Sequence, residues 1–192
     1  LIQEFAVIKN AGDELPVLWH QDMMHERTGR CFTVGIYLDE VKENDGALRV
    51  VPGSHLSGKS ICVLQHEPFI EVPMQAGDIL IHDMMLAHAS EPMRQQSIRR
   101  VLYFEFLSRT QVLQEKIYTE ALINNRTRLL AAAMFYYQKL HPEEKPFVWE
   151  YEGAASFLPV TNLPHTLKQI YSMPINARVS TYCFEHQTAV PG

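Results

Sequence analysis

The chain has 192 residues, of which 46% are hydrophobic and 20% charged, and its formal net charge at pH 7 is −5. This length suits one domain with a sizeable core. The acidic balance gives no reason to expect a nucleic acid or an anionic membrane as a partner.

Cysteine usage and the start of the chain bear on where the protein works. Cys31, Cys62 and Cys183 are widely spaced and form no CxxC pair. This predicts neither a disulfide framework nor a thiolate zinc site and is typical of a reducing compartment. No apolar run is long enough to span a membrane and no signal peptide is visible, so we expect a cytoplasmic location. Because the chain begins at Leu1 inside an apolar run, we expect part of the domain to precede it.

Short apolar runs alternate with turn signals over the first two-thirds of the chain. Strands are predicted over residues 5–8, 15–20, 31–38, 47–51, 79–81 and 99–107. The Asp45-Gly46 dipeptide tolerates the positive φ angles of a tight turn, so residues 31–38 and 47–51 are predicted to pair as a hairpin. Many short strands separated by turns indicate a sandwich or a barrel.

The last third of the chain has a helical pattern instead. Residues 111–140 carry apolar side chains at helical spacing and are predicted to form one helix, or two helices separated near Asn124-Asn125. Ser108 with Gln111 predicts a capping box at the start, and Pro142 predicts the end. The remaining chain is predicted to be mostly irregular, with a strand over residues 179–184.

The Trp19-His20-Gln21-Asp22 segment is a candidate metal-binding motif at the end of an apolar strand. Residues two apart on a strand project from the same face, so His20 and Asp22 would face one pocket. With His88 from a distant strand they would supply two imidazoles and one carboxylate, the set that binds non-haem Fe(II) and leaves open coordination positions. The bare motif also fits a strand-end histidine that is hydrogen-bonded to an aspartate.

Features downstream of this motif favour the metal interpretation. His88 follows another apolar strand, Ser90 shares its face, and arginines begin a third strand eleven residues later. An arginine can anchor the far carboxylate of a 2-oxoglutarate cosubstrate through two parallel hydrogen bonds, and a serine can add a third. Arg99 and Arg100 are adjacent and face opposite ways, so only one of them can point inward.

His82 and Asp83 are a second histidine–aspartate combination. Because neighbouring residues on a strand point apart, they cannot replace His20 and Asp22 as a pair of ligands. His82 is therefore predicted to be a polar residue at the end of a strand.

Three segments together resemble the phytanoyl-CoA dioxygenase-like family, in the right order from about residue 15 to residue 107. They are Trp19 to Asp22, the block ending in Pro52-Gly53-Ser54-His55, and His88-Ala89-Ser90 followed by Arg99. The resemblance implies a mainly β fold with a helical tail. The core would be a double-stranded β-helix, that is, a cupin-like jelly-roll barrel buttressed by helices. Residues 1–110 would form the catalytic core, and residues 111–192 an extension packed on the same single domain.

The resemblance also implies a chemistry and its residues. His20, Asp22 and His88 would be the catalytic iron ligands, Ser90 and Arg99 would hold the C5 carboxylate of 2-oxoglutarate, and family spacing favours Arg99 over Arg100. The cofactors would be Fe(II), 2-oxoglutarate and O2. The reaction would be hydroxylation or another oxidation of a small organic substrate, with release of succinate and CO2. In related halogenases a small residue replaces the aspartate, so Asp22 favours oxygenation.

Two other classes remain open at this point. One is a cupin-like metal enzyme or binding barrel that does not use 2-oxoglutarate, although such sites usually hold clustered histidines that this chain lacks. The other is a non-catalytic barrel that keeps the motif as scaffold. We expect a small-molecule substrate and no nucleic-acid or membrane partner.

The chain departs from the family pattern near the expected cosubstrate. Gly35 stands where many members have a tryptophan, so either the pocket is wider there or Tyr37, on the same face, fills it. Met23, Met24 and His25 follow the ligand pair and are candidates to line the substrate mouth, with Tyr37 as a further substrate candidate. Gln3 is a candidate for the upstream part of the cosubstrate site.

Overall fold

The structure is a computed structural model that describes residues 1–12, 15–22, 30–94, 98–116, 118–148, 162–175 and 180–183. The chain divides into two compact units. One unit comprises Glu4–Phe106 with Ala177–Gly192, and the other comprises Leu1–Gln3 with Leu107–Asn176.

The first unit contains two antiparallel sheets. The four-stranded sheet has the order β1-β8-β3-β6 and the five-stranded sheet the order β5-β4-β7-β2-β9. The strands are β1 (Gln3–Asn10), β2 (Val17–Gln21), β3 (Cys31–Tyr37), β4 (Leu48–Val50), β5 (Ile70–Val72), β6 (Ile79–Asp83), β7 (His88–Ser90), β8 (Ile98–Leu107) and β9 (Thr181–Tyr182). The short helix α1 (Ile61–Leu64) and a 3-10 turn (Ser54–Leu56) lie between β4 and β5.

The predicted hairpin between the third and fourth strands is wrong. Asn44 and Gly46 do adopt positive φ angles of 59° and 78°, so the tight turn forms as expected. However, β3 pairs with β6, whereas β4 pairs with β5 and β7. The turn therefore carries the chain from one sheet to the other, and a local turn signal does not specify which strands pair.

Strict alternation positions side chains on the two faces of the four-stranded sheet. On β8 the residues Arg99, Val101 and Tyr103 are buried, while Arg100 and Leu102 between them are exposed. β3 likewise buries its odd-numbered residues. Because side chains along a strand point alternately to opposite faces, these buried sets point into one interior. The interior cluster comprises Tyr37, Val41, Ala47, Met74, Val101 and Tyr103.

One expectation about the cysteines is corrected by the structure. Cys62, in α1, and Cys183, just after β9, form a disulfide across 121 residues of sequence. Both pack against a small buried cluster that includes Ile61, Leu64 and Ala87. Because the partners are distant in sequence and carry no motif, spacing alone did not reveal the pair. The disulfide fastens the last strand of the five-stranded sheet to α1.

The second unit is helical where it is described. The helices are α2 (Arg109–Glu115), α3 (Glu120–Leu140) and α4 (Leu163–Tyr171). The break between α2 and α3 therefore lies before Glu120 rather than near Asn124-Asn125, and Thr119 caps α3 by accepting from the Leu122 amide. Ser108 occupies the N-cap position of α2, but its side chain forms no capping hydrogen bond, so the predicted capping box is not formed.

Helix α4 was not predicted, because prolines suggested irregular chain there. Its signal is nevertheless present in the sequence: Asn162 is the N-cap and accepts from the His165 amide, and Pro164 lies in the first turn. The predicted strand over residues 179–184 is confirmed for Thr181–Tyr182.

The predicted fold class is confirmed, with two antiparallel sheets followed by helices. Within the described part of the chain, none of the helices has the length and apolarity to cross a membrane.

Candidate active site

His20, Asp22 and His88 come together between the two sheets. β2 and β7 are antiparallel, and His20 pairs directly with His88 in their register. Directly opposed residues share a face of the sheet, and the two ring centroids lie 4.1 Å apart. Both Nε2 atoms are 3.5 Å from Asp22 Oδ1. One ligand atom from each residue lies within 4.8 Å of the others, so the group could hold a metal ion.

Hydrogen bonds around the group determine which atoms are available to a metal. The Nδ1 atoms of His20 and His88 lie 2.8 Å from the carbonyl oxygens of Leu18 and Leu86. Since a carbonyl oxygen only accepts, Nδ1 of each ring is the donor, and a neutral ring then presents an unprotonated Nε2. Thr33 Oγ1 donates to Asp22 Oδ2 over 3.3 Å, leaving Oδ1 towards the histidines.

The electrostatics of the pocket favour the protonation states that bind metals. Burial alone would raise the pKa of the Asp22 carboxyl, but the neighbouring imidazoles, His88 first and then His20, outweigh it and hold that pKa at about 2. Burial lowers the pKa of His88 to about 4, against the opposing effect of Asp22. At neutral pH Asp22 is therefore a carboxylate and His88 a neutral imidazole, the forms that coordinate cations.

His82 lies near the end of β6, as predicted, and is buried beside the group. Its ring centroid lies 5.0 Å from that of His88, and its Nδ1 is 3.1 Å from the Asp83 carbonyl oxygen. Among the described residues, the compact set of ligand atoms at this place comprises His20, Asp22 and His88 without His82.

The two adjacent arginines have opposite environments. Arg99 is only 2% exposed, and its Nη1 donates to the Gly46 carbonyl oxygen. Its Nε has no hydrogen-bond partner among the described residues. Arg100 is exposed and forms an ion pair with Asp39 at 2.7 Å. Of these two arginines, Arg99 therefore points into the interior, and its Nε is a donor without a hydrogen bond to the described residues.

Ser90 lies two residues beyond His88 on β7 and is 2% exposed. Its Oγ accepts a hydrogen bond from Lys9 Nζ at 2.8 Å. Lys9 was not identified from the sequence. The local pattern offered no clear signal, since the apolar residues of β1 lie on both of its faces.

Tyr37 and Gly35 share the inner face of β3. Tyr37 is fully buried, and its hydroxyl lies near that of Tyr103 but forms no well-aligned hydrogen bond with the described residues. Burial, with the neighbouring Tyr103 as a further cause, raises the pKa of this phenol well above its usual range. Neither expectation for Gly35 is correct, because the ring of Tyr103 fills the space: a Cβ added at Gly35 would lie 2.8 Å from it.

One residue near the metal group escaped sequence reasoning altogether. Tyr182 on β9 pairs with His20, and its ring stacks on the imidazole with centroids 4.9 Å apart. A short strand was predicted in this region, but its partner strand could not be. Met23, Met24 and His25 lie outside the described residues, and Gln3 is a half-buried residue on β1.

The residues present fit both an iron ion and a dicarboxylate. The metal group offers two imidazole nitrogens and one carboxylate on one side of the ion, which is the facial set of non-haem iron oxygenases. Within the part of the chain that the structure describes, Arg99 Nε and the Tyr37 hydroxyl are buried polar atoms without a well-aligned hydrogen bond. Since buried donors normally find acceptors, their lack of partners is what a site for an anionic ligand would show.

The comparison with protein families gives the decisive finding. The model of the family "Phytanoyl-CoA dioxygenase (PhyH)" matches residues 1–101, just over half of the chain. The chain belongs to the phytanoyl-CoA dioxygenase family. Members of this family are oxygenases that depend on Fe(II) and 2-oxoglutarate, which agrees with the predicted enzyme class and cofactors. A comparison of this chain with curated protein sequences found no match.

Several solved structures are similar to part of the chain. EvdMO1 is 29% identical with a TM-score of 0.50, over 55% of this chain and 26% of its own. AviO1 from Streptomyces viridochromogenes Tue57 is 29% identical with a TM-score of 0.51, over 55% of this chain and 49% of its own. The chain thus spans between about a quarter and a half of these proteins.

A third similar structure shows the same fold. It is the epimerase SnoN in complex with Fe3+, alpha ketoglutarate and nogalamycin RO. It is 20% identical with a TM-score of 0.50, over 57% of this chain and 50% of its own. At this level of sequence identity, the similarity between SnoN and this chain concerns the fold alone.

Proposed function

We propose that the protein is an Fe(II)- and 2-oxoglutarate-dependent dioxygenase that hydroxylates a small organic substrate. The observation that carries this proposal is the convergence of two imidazole nitrogens, the Nε2 atoms of His20 and His88, on one oxygen of Asp22, each at 3.5 Å. In this proposal His20, Asp22 and His88 bind the iron. Membership of the phytanoyl-CoA dioxygenase family supports the same assignment.

Arg99 and Ser90 would hold the far carboxylate of 2-oxoglutarate. Arg99 is buried and already fixed by the Gly46 carbonyl, so its guanidinium is held in place before the cosubstrate arrives. Its unsatisfied Nε, together with the unsatisfied Tyr37 hydroxyl, supplies donors that a carboxylate would satisfy. We assign Tyr37 to this end of the site, because its hydroxyl is buried in the neighbourhood of the Arg99 guanidinium.

Each protein group has a defined task in the reaction. When bound, iron and 2-oxoglutarate supply the oxidation: O2 is consumed, 2-oxoglutarate becomes succinate and CO2, and one oxygen atom goes to the substrate. The backbone carbonyls of Leu18 and Leu86 keep the two imidazoles oriented through their Nδ1 protons. Thr33 orients the Asp22 carboxylate through Oδ2. The apolar residues of the interior cluster exclude water.

Asp22 also favours oxygenation over halogenation. A halogenase of this type has a small residue in place of the carboxylate, which leaves a coordination position for chloride. With a carboxylate at residue 22, that position would be filled by the protein. We therefore propose that oxygen, rather than halide, is transferred.

The substrate is proposed only as a small organic molecule. The sequence offers no basic cluster that suits the phosphates of a coenzyme A thioester, so such a thioester is disfavoured as the substrate. Met23 and His25 stay candidates for the substrate mouth. A cytoplasmic location also stays a prediction, and the Cys62–Cys183 disulfide removes part of the cysteine argument for it.

The alternative of a barrel that binds metal but not 2-oxoglutarate is tested by two measurements on the full-length protein. Calorimetry with 2-oxoglutarate and redox-inert Mn(II) should show one binding site per chain. The iron-loaded protein should then release succinate from 2-oxoglutarate in air. Metal binding without 2-oxoglutarate binding would support the cupin-like alternative, and neither kind of binding would support a non-catalytic scaffold.

A further inference from the structure

We propose that Lys9 is a positioning residue that orients the Ser90 hydroxyl towards the far carboxylate of the cosubstrate and adds positive charge beside it. This inference rests on the proposed function, because it assumes that Ser90 and Arg99 bind 2-oxoglutarate. It goes further by assigning a role to a residue on a different strand and in the other sheet.

Lys9 reaches from one sheet to the other. It lies on β1 of the four-stranded sheet, is 6% exposed, and donates to three oxygens at the end of β7 in the five-stranded sheet. The distances from Nζ are 2.8 Å to Ser90 Oγ, 3.2 Å to the Ser90 carbonyl oxygen and 2.8 Å to the Glu91 carbonyl oxygen. A buried lysine is rare, and this one is held by specific hydrogen bonds.

The direction of the Lys9–Ser90 hydrogen bond determines what Ser90 can do. An ammonium group has three N–H donors and no acceptor, so Ser90 Oγ must accept from it. The hydroxyl hydrogen of Ser90 then points away from Lys9 and finds no acceptor among the described residues. Ser90 is therefore presented as a donor, which is the role required towards a carboxylate. A water-exposed serine would have no such preference.

Lys9 and Arg99 contact adjacent backbone segments. Arg99 donates to the Gly46 carbonyl, and Lys9 donates to the Glu91 carbonyl. A Cβ built on Gly46 would lie 3.7 Å from the same Glu91 oxygen. Gly46 comes shortly before β4, and Glu91 comes directly after β7. These two strands pair with each other, and Leu48 lies opposite Ser90. The two buried cations, Lys9 and Arg99, therefore both lie at one end of the five-stranded sheet. In this proposal the far carboxylate of the doubly charged cosubstrate would lie at the same end.

The alternative is that Lys9 merely ties β1 to β7. A comparison of 2-oxoglutarate with 2-oxopentanoate separates the two roles, because 2-oxopentanoate keeps the α-keto acid but has a methyl group in place of the far carboxylate. Dissociation constants for both are measured by calorimetry on the Mn(II)-loaded full-length protein. The variants are Lys9→Met and, as a matched control, Lys42→Met, which removes an exposed lysine.

We expect Lys9→Met to weaken 2-oxoglutarate binding by about tenfold or more, since a charge-assisted hydrogen bond is lost. Binding of 2-oxopentanoate and Mn(II) should not change, and Lys42→Met should behave as the wild type. Equal weakening of both keto acids, or no weakening of either, would overturn the proposal. Lys9→Leu replaces Lys9→Met if the latter does not fold, and it should show the same selective loss, because it lacks both the charge and the N–H donors.

A double-mutant cycle with Ser90→Ala provides a second readout. If Lys9 acts through the Ser90 hydroxyl, Lys9→Met should have a smaller effect on 2-oxoglutarate binding when Ser90 is already alanine. Fully additive effects would contradict the orienting role. If the wild type does not bind 2-oxoglutarate at all, the proposed function itself fails. If the wild type binds it and Lys9→Met binds it equally well, only the role of Lys9 fails.

Discussion

His20 and His88 face each other across the antiparallel strands β2 and β7, and their Nε2 atoms lie at the same distance, 3.5 Å, from one oxygen of Asp22. Each ring is held by a backbone carbonyl two residues before it in the sequence. The two imidazoles are therefore oriented by the same kind of hydrogen bond. The Asp22 carboxylate between them is oriented by a hydrogen bond from Thr33.

The first prediction concerns the identity of the metal ligands. His88→Ala should weaken Fe(II) binding by more than about 100-fold, because loss of an outer partner alone costs 10–100-fold. His82→Ala removes the neighbouring histidine that lies outside the ligand group and should retain one equivalent of iron. Iron content after dialysis measures both. Equal loss of iron from the two variants would show that the ligand set has been wrongly assigned.

The second prediction separates the adjacent arginines. Arg99→Ala should abolish measurable 2-oxoglutarate binding, because the buried guanidinium is the proposed partner of the far carboxylate. Arg100→Ala should leave binding unchanged, since Arg100 is exposed and pairs with Asp39. Calorimetry on the Mn(II)-loaded protein measures both. Loss of binding in Arg100→Ala with binding retained in Arg99→Ala would reverse the assignment.

The third prediction concerns the pH dependence of the metal-free protein. The pKa of His88 is about 4 in the folded state, below the ordinary histidine value of 6.5. The unfolded chain therefore binds the proton first as pH falls, and folded stability decreases between about pH 6.5 and pH 4. Over that window the titration of His88 alone should lower the free energy of unfolding by about 3 kcal/mol. Urea unfolding in chelator across this range measures the loss.

His88→Gln provides the control for that titration. A glutamine does not titrate, so the variant should lose less stability than the wild type between pH 6.5 and pH 4. An identical loss in the two proteins would mean that other groups, rather than the buried imidazole, cause the acid sensitivity.

The fourth prediction concerns the disulfide. Cys183→Ser should lower the free energy of unfolding by about 4 to 5 kcal/mol. This is the free energy expected from the loop-closure entropy of the unfolded chain, because 121 residues separate the two cysteines. Reduction of the wild-type protein with dithiothreitol should have the same effect. Urea denaturation is the measurement. If titration of the unreduced protein found every cysteine as a thiol, the disulfide itself would be disproved.

The sequence revealed those features that depend on short-range spacing. The two-residue interval between His20 and Asp22 and the alternation along β8 specify which side chains share a face. Alternation also predicted that only one of Arg99 and Arg100 would be buried, and the family resemblance indicated Arg99. These inferences needed no knowledge of the tertiary structure, because the period of a strand is a local property.

The features that the sequence did not reveal are long-range pairings. The Asp45-Gly46 turn was recognised, but its strands enter different sheets. Tyr182 reaches His20 only because β9 pairs with β2, and Cys62 meets Cys183 for the same topological reason. Lys9 was overlooked because a single lysine in a strand is usually solvated, and its contact with Ser90 joins residues 81 apart.

The central claim is that one site binds iron and 2-oxoglutarate together, and anaerobic absorption spectroscopy tests it most directly. Fe(II) is added to the full-length protein without O2, and 2-oxoglutarate is then titrated in. A visible charge-transfer band that saturates at one equivalent per chain, and that is absent in His88→Ala and Arg99→Ala, is the predicted result. A wild-type protein that retains Fe(II) but develops no band at any concentration of 2-oxoglutarate would contradict the claim.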